Sequence, residues 1–136
     1  MATILLVDDE PDILLMLRMS FEDEGHEVVM AADGKMGLEK LEEHRPDVVV
    51  LDMMMPVVDG WGFLQGRADR GDGVPVVVVS AKSDPADCRR ALELGAVEYV
   101  TKPFDLDRLV GVVTEVLGED PDRREARRQE GIRAQS

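Results

Sequence analysis

VVVLDMMMP, residues 48–56, opens with four aliphatic residues in a row and then turns abruptly to a carboxylate, Asp52. A strand with one wet face alternates apolar and polar residues. This run does not alternate, so it predicts a strand buried on both sides, as in a parallel sheet covered by helices. The pattern recurs along the chain. Thr3 to Val7 runs into Asp8 and Asp9, and Val76 to Val79 runs into Ser80. Val28 to Ala31, Asp47 to Leu51 and Glu98 to Val100 complete a set of five strands, several of them rich in valine.

The segments between them carry helical spacing. Ile13, Leu17 and Phe21 mark a first helix, Leu38 and Leu41 a second, Cys88, Ala91 and Leu92 a fourth, and Leu106, Leu109, Val110, Val113 and Leu117 a last. The third, residues 60–70, is the weakest, because Gly62 and Gly66 cost helix stability. Five βα repeats joined by right-handed crossovers give an α/β fold, a doubly wound sheet with helices on both faces.

The 136 residues, 44% of them hydrophobic, suit one domain with one core. No apolar run approaches the roughly 20 residues that span a bilayer, and the N-terminus lacks a secretory pattern, so the expectation is a cytoplasmic protein without a membrane partner. The lone cysteine, Cys88, reads as a small buried hydrophobe. A formal net charge of −13 opposes direct nucleic-acid binding, since an acidic surface repels a polyanion. Residues 119–136 hold five acids and five arginines, so the whole excess lies in residues 1–118. The chain therefore divides into a domain, 1–118, and a charged tail, 119–136. Asp120 and Pro121 read as a helix cap and first turn, with the helix ending at Gly131; the tail has so few apolar residues that disorder is the other reading.

In a doubly wound sheet, ligands sit beyond the carboxyl ends of the strands. Asp8 and Asp9, Asp52, Ser80 and Lys102 all fall there. Three carboxylates in one crevice repel one another unless a cation lies between them; an all-oxygen donor set without His or Cys favours magnesium or calcium over zinc, and a site with few protein carboxylates favours magnesium, which keeps several waters and works beside phosphate. Lys102 adds a second positive charge and Ser80 a hydroxyl. Together they form a cradle for a phosphoryl group, with Asp52 as its nucleophile. Taken singly, Lys102 reads as a solvated lysine, Ser80 as a turn residue, Tyr99 as a core aromatic, and Asp8 and Asp9 as first-turn acids; the joint placement decides between the readings. Glu10 reads as a first-turn acid outside the chemistry, and Met53, Met54 and Met55 as packing residues.

VDDEP, LDMMMP followed by DG, SAK, and YVTKPF, in this order, resemble the CheY-like receiver domain of two-component response regulators over about residues 3–117. The resemblance implies a flavodoxin-like (βα)5 fold of five helices with strand order 2-1-3-4-5. It implies that Asp52 accepts a phosphoryl group from a phosphohistidine of a sensor kinase or phosphotransfer protein. Magnesium would be held by Asp9, Asp52 and the main-chain carbonyl of Met54, with Asp8 acting through water. Lys102 would pair with Asp52 and then with a phosphoryl oxygen; Ser80 and Tyr99 would be the switch pair; the Lys102–Pro103 bond would be cis. Output would pass through the face made by the fourth helix, fifth strand and last helix, in a monomer or a phosphorylation-dependent dimer.

The expectation is thus a stand-alone response regulator that catalyses only its own phosphotransfer and dephosphorylation. A phosphorelay intermediate shares every motif, and a receiver acting by binding alone is a further alternative. A haloacid-dehalogenase-like phosphatase would want an acid two residues after the nucleophile, where Met54 stands. A nucleotide-binding flavodoxin relative would want a Gly- and Ser-rich loop where Asp8, Asp9 and Glu10 stand.

Overall fold

The structure is a computed structural model that describes residues 2–55, 58–71, 73–82 and 84–135. Five parallel strands, β1 (Thr3–Val7), β2 (Glu27–Ala31), β3 (Val48–Asp52), β4 (Val76–Ser80) and β5 (Ala96–Thr101), form one sheet in the order β2-β1-β3-β4-β5. They alternate with α1 (Pro11–Asp23), α2 (Gly34–His44), α3 (Gly60–Asp69), α4 (Pro85–Glu93) and α5 (Leu106–Gly118), and α6 (Pro121–Ala134) follows. The described residues hold six helices rather than the expected five.

Successive strand residues point to opposite faces, and both faces are dry. Ile4, Leu6, Val48, Val50, Val77 and Val79 pack with Leu17 and Phe21 of α1 and Leu109, Val113 and Val116 of α5. Leu5, Val7, Val49, Leu51, Val76 and Val78 pack with Leu41 of α2, Phe63 and Leu64 of α3, and Cys88, Ala91 and Leu92 of α4. Each such side chain, fully buried, contributes about 1.5–3 kcal/mol, so these two layers hold the fold. They also explain the unalternating strand sequences.

Five helices begin on an aspartate whose side chain accepts from an N–H of the first turn: Asp33 from Met36, Asp59 from Gly62, Asp84 from Ala86, Asp105 from Asp107 and Asp120 from Arg123. Such caps are each worth about 1 kcal/mol, and part of the acidic excess is thereby structural. The glycines that weakened α3 as a sequence reading have a packing role. A Cβ at Gly66 would lie 2.8 Å from Leu38 of α2, and one at Gly62 would lie 2.6 Å from Val58. Close approach replaces what helix propensity loses. The sixth helix likewise runs past Gly131, where the sequence suggests a stop, because that glycine lies flat against Leu92 of α4.

Candidate functional site

The sheet delivers Asp8 just past β1, Asp52 as the last residue of β3, Ser80 as the last of β4 and Lys102 just past β5. Because the strands are parallel, their carboxyl ends, and with them these residues, meet at one edge of the sheet. Asp8, Asp9, Glu10 and Asp52 each offer a carboxylate oxygen, and the four oxygens lie within 4.8 Å of one another. The Lys102 ammonium stands 3.3 Å from Glu10, 3.6 Å from Asp52 and 4.0 Å from Asp8.

The electrostatics follow from burial. Asp52 is 3% exposed and Asp8 5%, while Asp9 and Glu10 face solvent. Burial pushes the Asp8 carboxyl up to about 6; the hydrogen bond from the Glu10 N–H opposes this and the Asp52 charge adds to it. Burial also raises Asp52 above the ordinary carboxylate range, against the N–H of Met54, which donates to its Oδ1 at 3.2 Å, and the Lys102 charge. Burial alone would lower the Lys102 ammonium, but Asp52, Asp8 and Glu10 together outweigh it and hold it above its usual value. One lysine among four carboxylates leaves the cluster short of positive charge. An all-oxygen donor set in that condition fits a hard divalent ion such as magnesium.

Ser80 is fully buried, and its hydroxyl accepts from the N–H of Lys82 at 3.1 Å. The Tyr99 hydroxyl donates to the Lys82 carbonyl at 2.9 Å, so β5 is tied to the loop that carries Ser80. The Lys102 N–H donates to the Ser80 carbonyl at 2.7 Å, and the Lys102–Pro103 peptide is cis. Ala81 is exposed beside the site, and the Met54 side chain projects from its rim.

Sequence reasoning missed Glu10. It gives Lys102 its shortest ion pair and belongs to the carboxylate cluster. Its place directly after two strand-end aspartates was the available signal. A second omission is Gly60, at the start of α3, where a Cβ would lie 2.6 Å from the Met53 Cα and 3.0 Å from the Asp52 carbonyl oxygen. Only glycine lets the α3 start close on the end of β3. Gly60→Ala is expected to cost about 2 kcal/mol through overpacking, read as a lowered urea midpoint with an unchanged slope.

The sequence profile described as the response regulator receiver domain matches residues 4–114. The chain belongs to that family. This receiver domain is 42% identical to the transcriptional regulatory protein KdpE of Mycobacterium tuberculosis over 111 residues, covering 81% of this chain and 48% of that protein. It is 41% identical over 103 residues to AfsQ1 of Streptomyces coelicolor, covering 76% of this chain and 45% of the relative. The chain thus spans about half the length of the curated relatives it matches. Among solved structures, the receiver domain of the Francisella response regulator 1452 superposes with a TM-score of 0.83 at 30% identity, covering 87% of this chain and 98% of that one. The chemotaxis response regulator CheY4 of Vibrio cholerae follows with a TM-score of 0.79 at 30% identity, covering 85% and 98%. Among the described residues of this receiver, no helix is long and apolar enough to cross a membrane.

Proposed function

We propose that this receiver is a phosphorylation switch with Asp52 as its phosphoacceptor. The observation that carries the reading is a carboxylate 3% exposed, 3.6 Å from a lysine ammonium and enclosed by further carboxylates at the strand ends. An Asp52 oxygen attacks the phosphorus of a phosphohistidine on a sensor kinase or phosphotransfer protein. The P–N bond breaks, the imidazole leaves with its electron pair and takes up a proton, and an acyl phosphate forms on Asp52. Water later attacks the phosphorus and restores the carboxylate, releasing inorganic phosphate. The chain acts on no other substrate.

Asp9, Asp52 and the Met54 carbonyl would hold magnesium, with Asp8 acting through water; when bound, the ion neutralises charge on the carboxylates and the phosphoryl oxygens. Lys102 moves its ammonium from the carboxylates to a phosphoryl oxygen. Ser80 donates its hydroxyl to another and shifts the loop to which Tyr99 is bonded, and β5 follows. This biases a two-state equilibrium on the face of α4, β5 and α5. On α4, Arg89 meets Glu93 at 3.2 Å, and Arg90 lies 4.2 Å above the Trp61 ring of α3. Output passes through protein contacts in the cytoplasm. A net charge of −13 gives this chain no electrostatic attraction to nucleic acid. Intact mass after acetyl phosphate treatment tests the chemistry.

The kinase-facing surface lies on α1, where Leu15 and Met19 are exposed and Met16 is half-buried. Met19→Glu, with Met16→Glu, is expected to slow transfer from a phosphohistidine donor about tenfold, equivalent to about 1.4 kcal/mol. Phosphorylation by acetyl phosphate should keep its rate. Unchanged transfer from the protein donor would retire the docking role.

A further inference from the structure

Helix α6 is attached by an unusual set of contacts. None of its residues is buried, yet it packs on α4 and β5. Arg127 reaches Glu98 of β5 at 2.6 Å, Glu115 of α5 at 2.8 Å and Glu119 at 3.0 Å. Arg128 donates to the Leu92 carbonyl in the last turn of α4 at 2.8 Å, and Arg124 donates to the Val116 carbonyl in the last turn of α5 at 3.0 Å. Each of these carbonyls also accepts the N–H of the residue three positions on, Gly95 for Leu92 and Glu119 for Val116, so each guanidinium takes a remaining acceptor position at a helix C-terminus. Gly131 lets the α6 backbone lie against Leu92, and Ile132 packs half-buried on the core cluster of that side.

The face is therefore read by an arginine over three glutamates, a glycine over a leucine, and one aliphatic side chain. Attachment of this kind is dominated by charge: Arg127 is 18% exposed and pairs with Glu119 and Glu98, 14% and 33% exposed, and with Glu115 at the rim, so the set is partly sheltered from water and only partly screened by salt. Its short tether supports the Arg127 contacts, since only Glu119 and Asp120 separate α6 from α5. A short tether supplies an effective concentration of about millimolar, which compensates for weak contacts. A free helix with stronger contacts of the same type competes directly.

We infer that the face of α4, β5 and α5 is a receptor for an arginine-bearing helix, filled in cis by α6, and that the downstream partner presents a helix of that chemistry. The inference rests on the reading of this face as the output surface and names its ligand. Glu98, Glu115 and Glu119 select the guanidinium, and the surface over Leu92 selects a small residue four positions later.

The test uses the full chain carrying Arg127→Glu, which leaves the three receptor glutamates intact, and a fluorescein-labelled peptide of residues 119–135. Amide hydrogen exchange across residues 122–133 should accelerate at least about tenfold in the variant as α6 leaves the face. The peptide should then bind the variant at least about tenfold more tightly than it binds the wild-type chain, whose site is occupied. Raising salt from about 50 to about 500 mM should weaken that binding, and a peptide with glutamate replacing its first paired arginine, at position 127, should not bind. Unchanged exchange in the variant would overturn the inference, because Arg127 would not be what holds α6. Released α6 without peptide binding would overturn it equally. Neither readout needs Asp52 to be phosphorylated, so a failure of the phosphotransfer reading, seen by intact mass, is separate.

Discussion

Incubated with acetyl phosphate and magnesium, the chain is expected to gain a single phosphoryl group, and Asp52→Asn to gain none. The amide keeps the size of the side chain and one acceptor oxygen for the Met54 N–H but removes the anionic nucleophile, so loss of the adduct reports chemistry rather than folding. Far-UV circular dichroism of the variant should match the wild type. Lys102→Ala leaves the nucleophile in place and removes the cation 3.6 Å away that would follow the phosphoryl charge. The adduct should still form on Asp52, slower by about 10²–10³-fold, the usual cost of removing one preorganised electrostatic partner. A wild-type chain that takes no phosphoryl group under any condition would sink the proposed switch, leaving a receiver that signals by binding alone.

Asp8→Asn is expected to stabilise the protein in metal-free buffer at pH 7.5. The Asp8 carboxyl titrates at about 6 in the folded chain, against about 3.9 when exposed. The folded state therefore binds the proton more tightly than the unfolded state does. Stability from this group is full below about pH 4, falls as pH rises toward 6, and stays low above it. That difference in proton affinity corresponds to about 3 kcal/mol, which the asparagine recovers. The thermal midpoint should rise by about 5–10 °C at pH 7.5 and by little at pH 4. Magnesium should stabilise the wild type by offsetting the same repulsion and should stabilise the variant less. An unchanged or lowered midpoint at pH 7.5 would show that burial of Asp8 carries no such cost. A site that destabilises its own empty state is what function at the expense of stability looks like.

The sheet was legible in residues 48–51 and their counterparts because burial on both faces removes alternation, and that signal is local. So was the convergence of Asp8, Asp52, Ser80 and Lys102, since a parallel sheet brings strand ends together wherever they lie in the chain. Glu10 was not legible as a site residue. Its partner Lys102 lies 92 positions away, and an acid before a helix satisfies local rules without it. The seating of α6 was hidden for a different reason: its one packing aliphatic, Ile132, and its charges give no hydrophobic stripe to read, so the helix shows its purpose only beside Glu98 and Leu92. Gly62 and Gly66 misled in the opposite sense, because propensity counts their cost and not the close approach that they permit.

The contact of Gly60 with the end of β3 also has an optical side. The next residue, Trp61, is the only tryptophan in the chain, half-buried on α3 beneath the Arg90 guanidinium of α4. Its emission has one source, one residue from the Met53 backbone contact and under a cation on a neighbouring helix. Displacement of α3 against α4 changes that ring's surroundings first, so ordinary fluorescence from the unlabelled protein follows in real time how far a disturbance at Asp52 travels into the helices.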